Sequence, residues 1–136
     1  MKSFGNKMSF TLDTSAYSAF NRGDKRLIEW FREDNEIIVP QIVIGELLAG
    51  FIVGSKRREN EDLLQRFLDS PNVNVVTISD ASTKLYAEIY LKLRKKGKSI
   101  GTNDMWIAAI SLEQDNVLLT LDGGFSEIPD LMIATI

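Results

Sequence analysis

Glu36-Ile37-Ile38-Val39-Pro40-Gln41-Ile42-Val43-Ile44-Gly45-Glu46-Leu47-Leu48 holds two elements back to back. Glu36 to Val39 is short, apolar and rich in β-branched residues, which predicts a buried strand. Pro40 lacks an amide proton and has a fixed φ, so it suits the first turn of a helix, expected to run to about Gly50. A strand that passes directly into a helix is the unit of an α/β fold. The helix also carries an anomaly. Ile42 and Val43 lie four and three positions before Glu46, so all three share one helical face. A carboxylate on an apolar stripe is costly unless it is paired or bound to a cation.

The same alternation extends in both directions. Toward the N-terminus, Met8 to Leu12 predicts a strand, Thr14 to Phe20 a helix, and Asp24 to Arg32 a second helix. Toward the C-terminus, Lys56 to Leu68 is polar with apolar positions at Leu63, Leu64, Phe67 and Leu68, an amphipathic helix. Val73 to Ile78 predicts a strand. Asp80 to Lys96 predicts a long helix, with Leu85, Ile89 and Leu93 on one stripe and Gly97 as its stop signal. Asn103 to Gln114 is a helix, Val117 to Leu121 a strand, and Leu131 to Thr135 a short further strand. The sum is a parallel sheet of four to five strands with helices on both faces. Met1 to Lys7 is expected to be a polar extension, with Met8 as an alternative start, and 8–136 one domain.

Three more acids share the anomaly of Glu46. Asp13 ends the run Phe10-Thr11-Leu12, Asp104 opens Asp104-Met105-Trp106-Ile107-Ala108-Ala109-Ile110, and Asp122 follows Val117-Leu118-Leu119-Thr120-Leu121. Asp13 and Asp122 fall at the C-terminal ends of predicted strands, the edge where open α/β sheets bind ligands. Asp104 lies in the first turn of its helix, on the stripe with Ile107 and Ala108. Taken singly, Asp13 and Asp122 also fit turn or cap positions, and Asp104 fits a helix N-terminus. Glu46 fits neither role. Four carboxylates converging on one pocket call for a hard divalent cation.

Composition restricts the chemistry. The chain has 136 residues, no Cys and no His. That removes thiolate zinc sites, cysteine nucleophiles, disulfides and the usual general base. A metal held only by oxygen is expected to be Mg²⁺ or Mn²⁺. The formal net charge of −3 lacks the basic excess of a simple nucleic-acid binder, although an acidic pocket can sit beside a basic patch. No run is long enough to span a membrane, and the N-terminus lacks a signal-peptide core, so the expected location is cytoplasmic.

Four segments occur in order: Leu12-Asp13-Thr14-Ser15, Val43-Ile44-Gly45-Glu46-Leu47, Thr102-Asn103-Asp104-Met105-Trp106-Ile107-Ala108-Ala109, and Leu119-Thr120-Leu121-Asp122-Gly123-Gly124-Phe125. Together they resemble the PIN-domain family, most closely its VapC-type ribonuclease toxins of type II toxin–antitoxin systems. The resemblance covers Met8 to the C-terminus. It implies an α/β/α sandwich and an acidic Mg²⁺ or Mn²⁺ pocket formed by Asp13, Glu46, Asp104 and Asp122. Family members often carry an acid directly before the last Phe, where this chain has Gly124. The implied activity is metal-dependent hydrolysis of RNA. Asp13 and Asp104 are then the expected principal ligands. Glu46 is expected to ligate, to hold water or to assist proton transfer, and Asp122 to complete the pocket. Thr14, Asn103 and Thr120 are candidates to orient water or phosphate, and equally fit local caps. The resemblance also implies a homodimer and a small antitoxin whose basic residue enters the pocket.

Basic residues suggest where RNA could lie. Lys92, Arg94, Lys95, Lys96 and Lys98 form one cluster running toward Asp104, and Lys56, Arg57 and Arg58 another; a solvated helix face competes with this reading. Trp106, Tyr86 and Tyr90 could stack on bases, or serve as core or dimer-contact residues. Other functions remain open at this level: a housekeeping RNA-processing nuclease, or a metal- or RNA-binding module without catalysis. A phosphoacceptor receiver domain would need paired acids after the first strand and a Lys after the last, and neither is present.

Overall fold

The computed structural model describes residues 8–136; the expected extension of residues 1–7 lies outside the described residues. The element order is β1 (Ser9–Leu12), α1 (Thr14–Asn21), β2 (Glu36–Pro40), α2 (Gln41–Val53), α3 (Arg57–Leu68), β3 (Val73–Val76), α4 (Asp80–Lys96), α5 (Thr102–Gln114) and β4 (Val117–Leu119). The four strands are all parallel and run in the order β3-β2-β1-β4. The fold is a three-layer α/β/α sandwich.

Strand order decides where a site can form. The chain steps from β1 outward to β2 and β3, then returns to place β4 on the other side of β1. Right-handed crossovers put the helices of the outward half on one face of the sheet and those of the return on the other. The reversal leaves a crevice beyond the C-terminal ends of β1 and β4. Strands covered on both faces must be continuously apolar. Phe10 and Leu12 of β1, Ile37 to Val39 of β2, and Leu118 and Leu119 of β4 are all buried. From the helices, Val43, Leu47, Leu64, Ile89, Leu93, Ile107 and Ala108 complete the core.

The helix ends follow the local chemistry. Ser79 caps α4 and exchanges hydrogen bonds with Ser82 in a capping box. Gly97 ends α4 at φ 68°, a left-handed conformation that a Cβ disfavours. α2 extends beyond Gly50 to Val53, and Pro40 is both the last residue of β2 and the cap of α2.

Two expectations require correction. Asp24 to Arg32 is not a helix. Asp24 caps a 3₁₀ turn at Lys25–Leu27, and later amides reach back three residues, as in Trp30 N–H to the Leu27 carbonyl. Leu27 and Trp30 are both buried, so the turn still delivers its apolar side chains to the core. The fifth strand expected at Leu131 to Thr135 is reduced to one parallel bridge between Leu118 and Ile133. Pro129 and a left-handed Asp130 at φ 68° bend the chain just before it. Strands β3 and β4 also stop short of their expected ends, at Val76 and Leu119.

Candidate active site

The four acids of the sequence reading sit on segments around the C-terminal ends of β1 and β4: Asp13 after β1, Glu46 on α2, Asp104 at the start of α5 and Asp122 after β4. Asp13 follows β1 and is 4% exposed. It caps α1, accepting the Ala16 N–H at 2.9 Å on Oδ1. The Ser15 hydroxyl donates to both of its oxygens, at 2.8 and 3.0 Å. The Thr120 hydroxyl, from the segment after β4, donates to Oδ2 at 2.5 Å. Burial raises the pKa of this carboxyl; the donors from Thr120, Ala16 and Ser15 pull it back, and the Asp122 charge raises it further. The net direction is upward. A residue with an ordinary capping geometry is therefore also a carboxylate under electrostatic pressure.

Asp104 responds to the same pressure. It stands in the first turn of α5, partly buried. Its pKa is raised first by burial, then by the negative charges of Asp122, Glu46 and Asp13 in turn. Acids spread over the sequence thus all bear on Asp104. Glu46, on α2, is positioned by two side chains. The Thr14 hydroxyl donates to Oε1 at 2.5 Å, and the Asn103 amide donates to Oε2 at 3.3 Å. Asp122 is exposed and caps the 3₁₀ turn Gly123–Glu127, accepting the Gly124 N–H at 2.9 Å. Its own N–H donates to the Thr120 hydroxyl at 3.0 Å.

Thr14, Asn103 and Thr120 therefore hold carboxylates in place rather than serving as remote caps. Ser15 does the same and was not singled out in the sequence. Its hydroxyl also accepts the Leu121 N–H at 3.0 Å, tying the start of α1 to the segment that follows β4. The only available signal was its position two residues after an Asp at a helix start, a spacing common to ordinary caps.

The donor set suits a hard divalent cation: four carboxylates, no imidazole and no thiolate. Among the described residues, no three acids are drawn together into a ready-made cage. Mutual repulsion opposes such closure, and the hydrogen bonds to Asp13, Glu46 and Asp122 hold each side chain in its own orientation. Fit to a cation rests on donor chemistry and on the upward pKa pressure at Asp13 and Asp104, both of which a positive charge would relieve.

The basic cluster divides into two groups. Lys92 pairs with Asp130 at 3.0 Å, and Lys96 pairs with Glu127 at 3.6 Å while donating to its carbonyl at 2.8 Å. Arg94, Lys95 and Lys98 have no ion-pair partner among the described residues. Arg57 is held by Glu61 at 3.0 Å. The aromatics divide likewise. Tyr86 and Trp106 stack on each other with centroids 4.0 Å apart, whereas Tyr90 is 50% exposed.

The PIN domain family model matches residues 10–131. Among curated relatives, Ribonuclease VapC2 of Rickettsia felis is 30% identical over 107 residues, covering 78% of each chain. Ribonuclease VapC1 of the same organism is 31% identical over 133 residues, covering 95% of this chain and 97% of that one. Among solved structures, VapBC2 from Rickettsia felis bound to a DNA fragment of its promoter superposes with a TM-score of 0.80 at 28% identity, covering 93% of this chain and 98% of that one.

Proposed function

The chain belongs to the PIN domain family, and on that premise we propose that it is a divalent-metal-dependent endoribonuclease, the toxin of a toxin–antitoxin pair. One observation carries the reading. Asp104 stands partly buried near the reversal point of the sheet, its pKa raised first by burial and then by the charges of Asp122, Glu46 and Asp13. A fold stabilised by only a few kcal/mol retains such repulsion where a ligand relieves it.

Asp13 and Asp104 are the residues assigned to hold Mg²⁺ or Mn²⁺, with Glu46 and Asp122 completing the set. When bound, such an ion neutralises charge on the phosphate and makes water a better nucleophile. The protein's own contribution is orientation. Thr120, Ser15 and the Ala16 amide fix Asp13, so its carboxylate needs no reorganisation. Thr14 and Asn103 aim Glu46 into the crevice. With no His in the chain, a proton leaving water must pass to a carboxylate or to solvent. Glu46 and Asp104 are the partly buried acids within the crevice for that task. The unpaired cations Arg94, Lys95 and Lys98 supply phosphate contacts, which add affinity without sequence choice.

A protein partner fits the surface as well. Ile52 and Val53 at the end of α2 are 54% and 86% exposed, and Leu63 on α3 is 45% exposed. Exposed large apolar residues on two helices that pack together suit a protein contact. We assign this region to the antitoxin or to a second copy in a homodimer, and the activity to the cytoplasm.

The experiment is cleavage of single-stranded RNA. Activity is expected with Mg²⁺ or Mn²⁺ and none with EDTA. Asp13→Asn and Asp104→Asn should each lower the rate by at least about 10²-fold, since a lost ligand costs both binding and charge stabilisation. Full activity in both variants, with folding confirmed, would remove the site assignment.

A further inference from the structure

A concavity of about 240 Å³ lies between the end of α4 and the start of α5. Its apolar surface comes from Leu93, Ile100 and Met105, of which Leu93 and Met105 are buried. Tyr90 forms one wall with its ring half exposed. Arg94 and Lys98 stand at the rim, exposed and without an ion-pair partner among the described residues. Met105 directly follows Asp104, so their Cα atoms are about 3.8 Å apart. The cleft and Asp104 thus both draw on the first turn of α5.

We propose that this cleft binds one unpaired nucleotide of the RNA. The inference rests on the nuclease reading and specifies how that site holds its substrate. The base lies in the apolar cleft against the face of Tyr90, and Arg94 and Lys98 take the adjoining phosphate. Aromatic stacking with cationic contacts to the backbone is the usual way to hold a single strand, and it tolerates any base. Lys92 and Lys96 are drawn away to Asp130 and Glu127, while the two cations at the rim remain free. Tyr86 and Trp106 satisfy each other, and Tyr90 is left open.

Charge selects this occupant over a second copy of the chain. The lining includes Arg94 and Lys98 but no acid. In a two-fold contact the same patch meets itself, so the guanidinium and ammonium groups of both copies would crowd together unneutralised. A polyanion brings the missing charge. A homodimer formed elsewhere on the surface leaves the cleft free.

The test uses the full chain and a fluorescent single-stranded oligoribonucleotide, with three readouts: cleavage kinetics, anisotropy of RNA binding and solution mass. Tyr90→Leu should raise KM and the dissociation constant about tenfold with kcat nearly unchanged, and Tyr90→Phe should restore wild-type values. Arg94→Gln with Lys98→Gln should weaken binding and reduce the slope of log affinity against log salt by about 1. Solution mass should stay the same in all variants. Unchanged KM, affinity and salt slope overturn the proposal. So does a Tyr90→Leu protein that loses a dimer, which would make the cleft an interface between copies. A wild type that binds RNA through Tyr90 but does not cut it sinks the nuclease reading and leaves the cleft assignment standing. A wild type that neither cuts nor binds RNA sinks both.

Discussion

Replacing Thr120 by Val tests whether the crevice is held together from beneath. Thr120 is 6% exposed. Its single proton goes to Asp13 Oδ2 at 2.5 Å, and its oxygen accepts the Asp122 N–H at 3.0 Å. Valine has nearly the same shape and neither capability. A hydrogen bond to a charged acceptor contributes about 1.5–3 kcal/mol, and leaving a buried group unpaired adds to the cost. The part-buried Asp122 amide can recover water, so the expected loss is about 2 kcal/mol. For a chain of this size that lowers the melting temperature by about 6–10 °C.

The pH dependence separates this cause from simple misfit. The Asp13 carboxyl already has a raised pKa, and the Thr120 donor is the largest influence pulling it down. Without that donor the pKa rises further. A group raised in the folded state contributes stability below its unfolded pKa, near 3.8. That stability is lost as pH rises through the folded value. Metal-free Thr120→Val should therefore show its full deficit at pH 7–8, and the deficit should narrow as pH falls toward 4. Thermal melts in EDTA across that range give the answer, with Thr120→Ser as the control that keeps the hydroxyl. A deficit of equal size at every pH, or none at all, refutes the reasoning.

Asp104→Asn should raise the metal-free melting temperature by a few degrees at pH 7.5, because it removes repulsion from Asp122, Glu46 and Asp13. That gain should shrink as pH falls through the raised folded pKa and be gone only below the unfolded value of 3.8, and the stabilisation by Mg²⁺ or Mn²⁺ expected in wild type should shrink; an unchanged metal response in calorimetry contradicts a shared site. Gly97→Ala forces a Cβ into the left-handed conformation at φ 68°, so it should cost about 1 kcal/mol in chemical denaturation with RNA cleavage unaffected. Induction of the chain should arrest growth, and both Asp13→Asn and a co-expressed antitoxin should abolish the arrest; an active nuclease without a growth defect rejects the toxin reading.

The sequence announced elements wherever one influence dominated. Strand β2 was legible because Ile37, Ile38 and Val39 are buried on both faces and nothing interrupts them. Helix α4 matched its expected limits because Gly97 at the end and a Ser79 cap at the start both fix local geometry. Prediction failed where tertiary packing outweighed local preference. Asp24 to Arg32 has helical composition, yet Leu27 and Trp30 reach the core, and the aromatic contact of Trp30 with Phe10 at 5.4 Å comes from β1. No window around residue 27 contains that contact. The C-terminal segment has strand composition, but a left-handed Asp130 leaves it one bridge.

The candidate site follows the same logic with a different outcome. Its acids stood out because each violates the local rule of its own segment, and such violations concentrate at functional sites. Their supports did not stand out, because Thr14, Ser15, Asn103 and Thr120 break no rule where they sit. Asp13 and Thr120 are 107 residues apart in the chain and 2.5 Å apart in space. Only the parallel pairing of β1 with β4, with Leu12 opposite Leu119, brings the residues that follow those two strands together. Costly groups can thus be read one at a time, whereas what makes them tolerable is a property of the fold. The cleft at Tyr90 belongs to the second kind. Arg94 and Lys98 resemble Lys92 and Lys96 in sequence; only the fold, which engages Lys92 and Lys96 with Asp130 and Glu127 and turns Arg94 and Lys98 to the cleft, tells them apart.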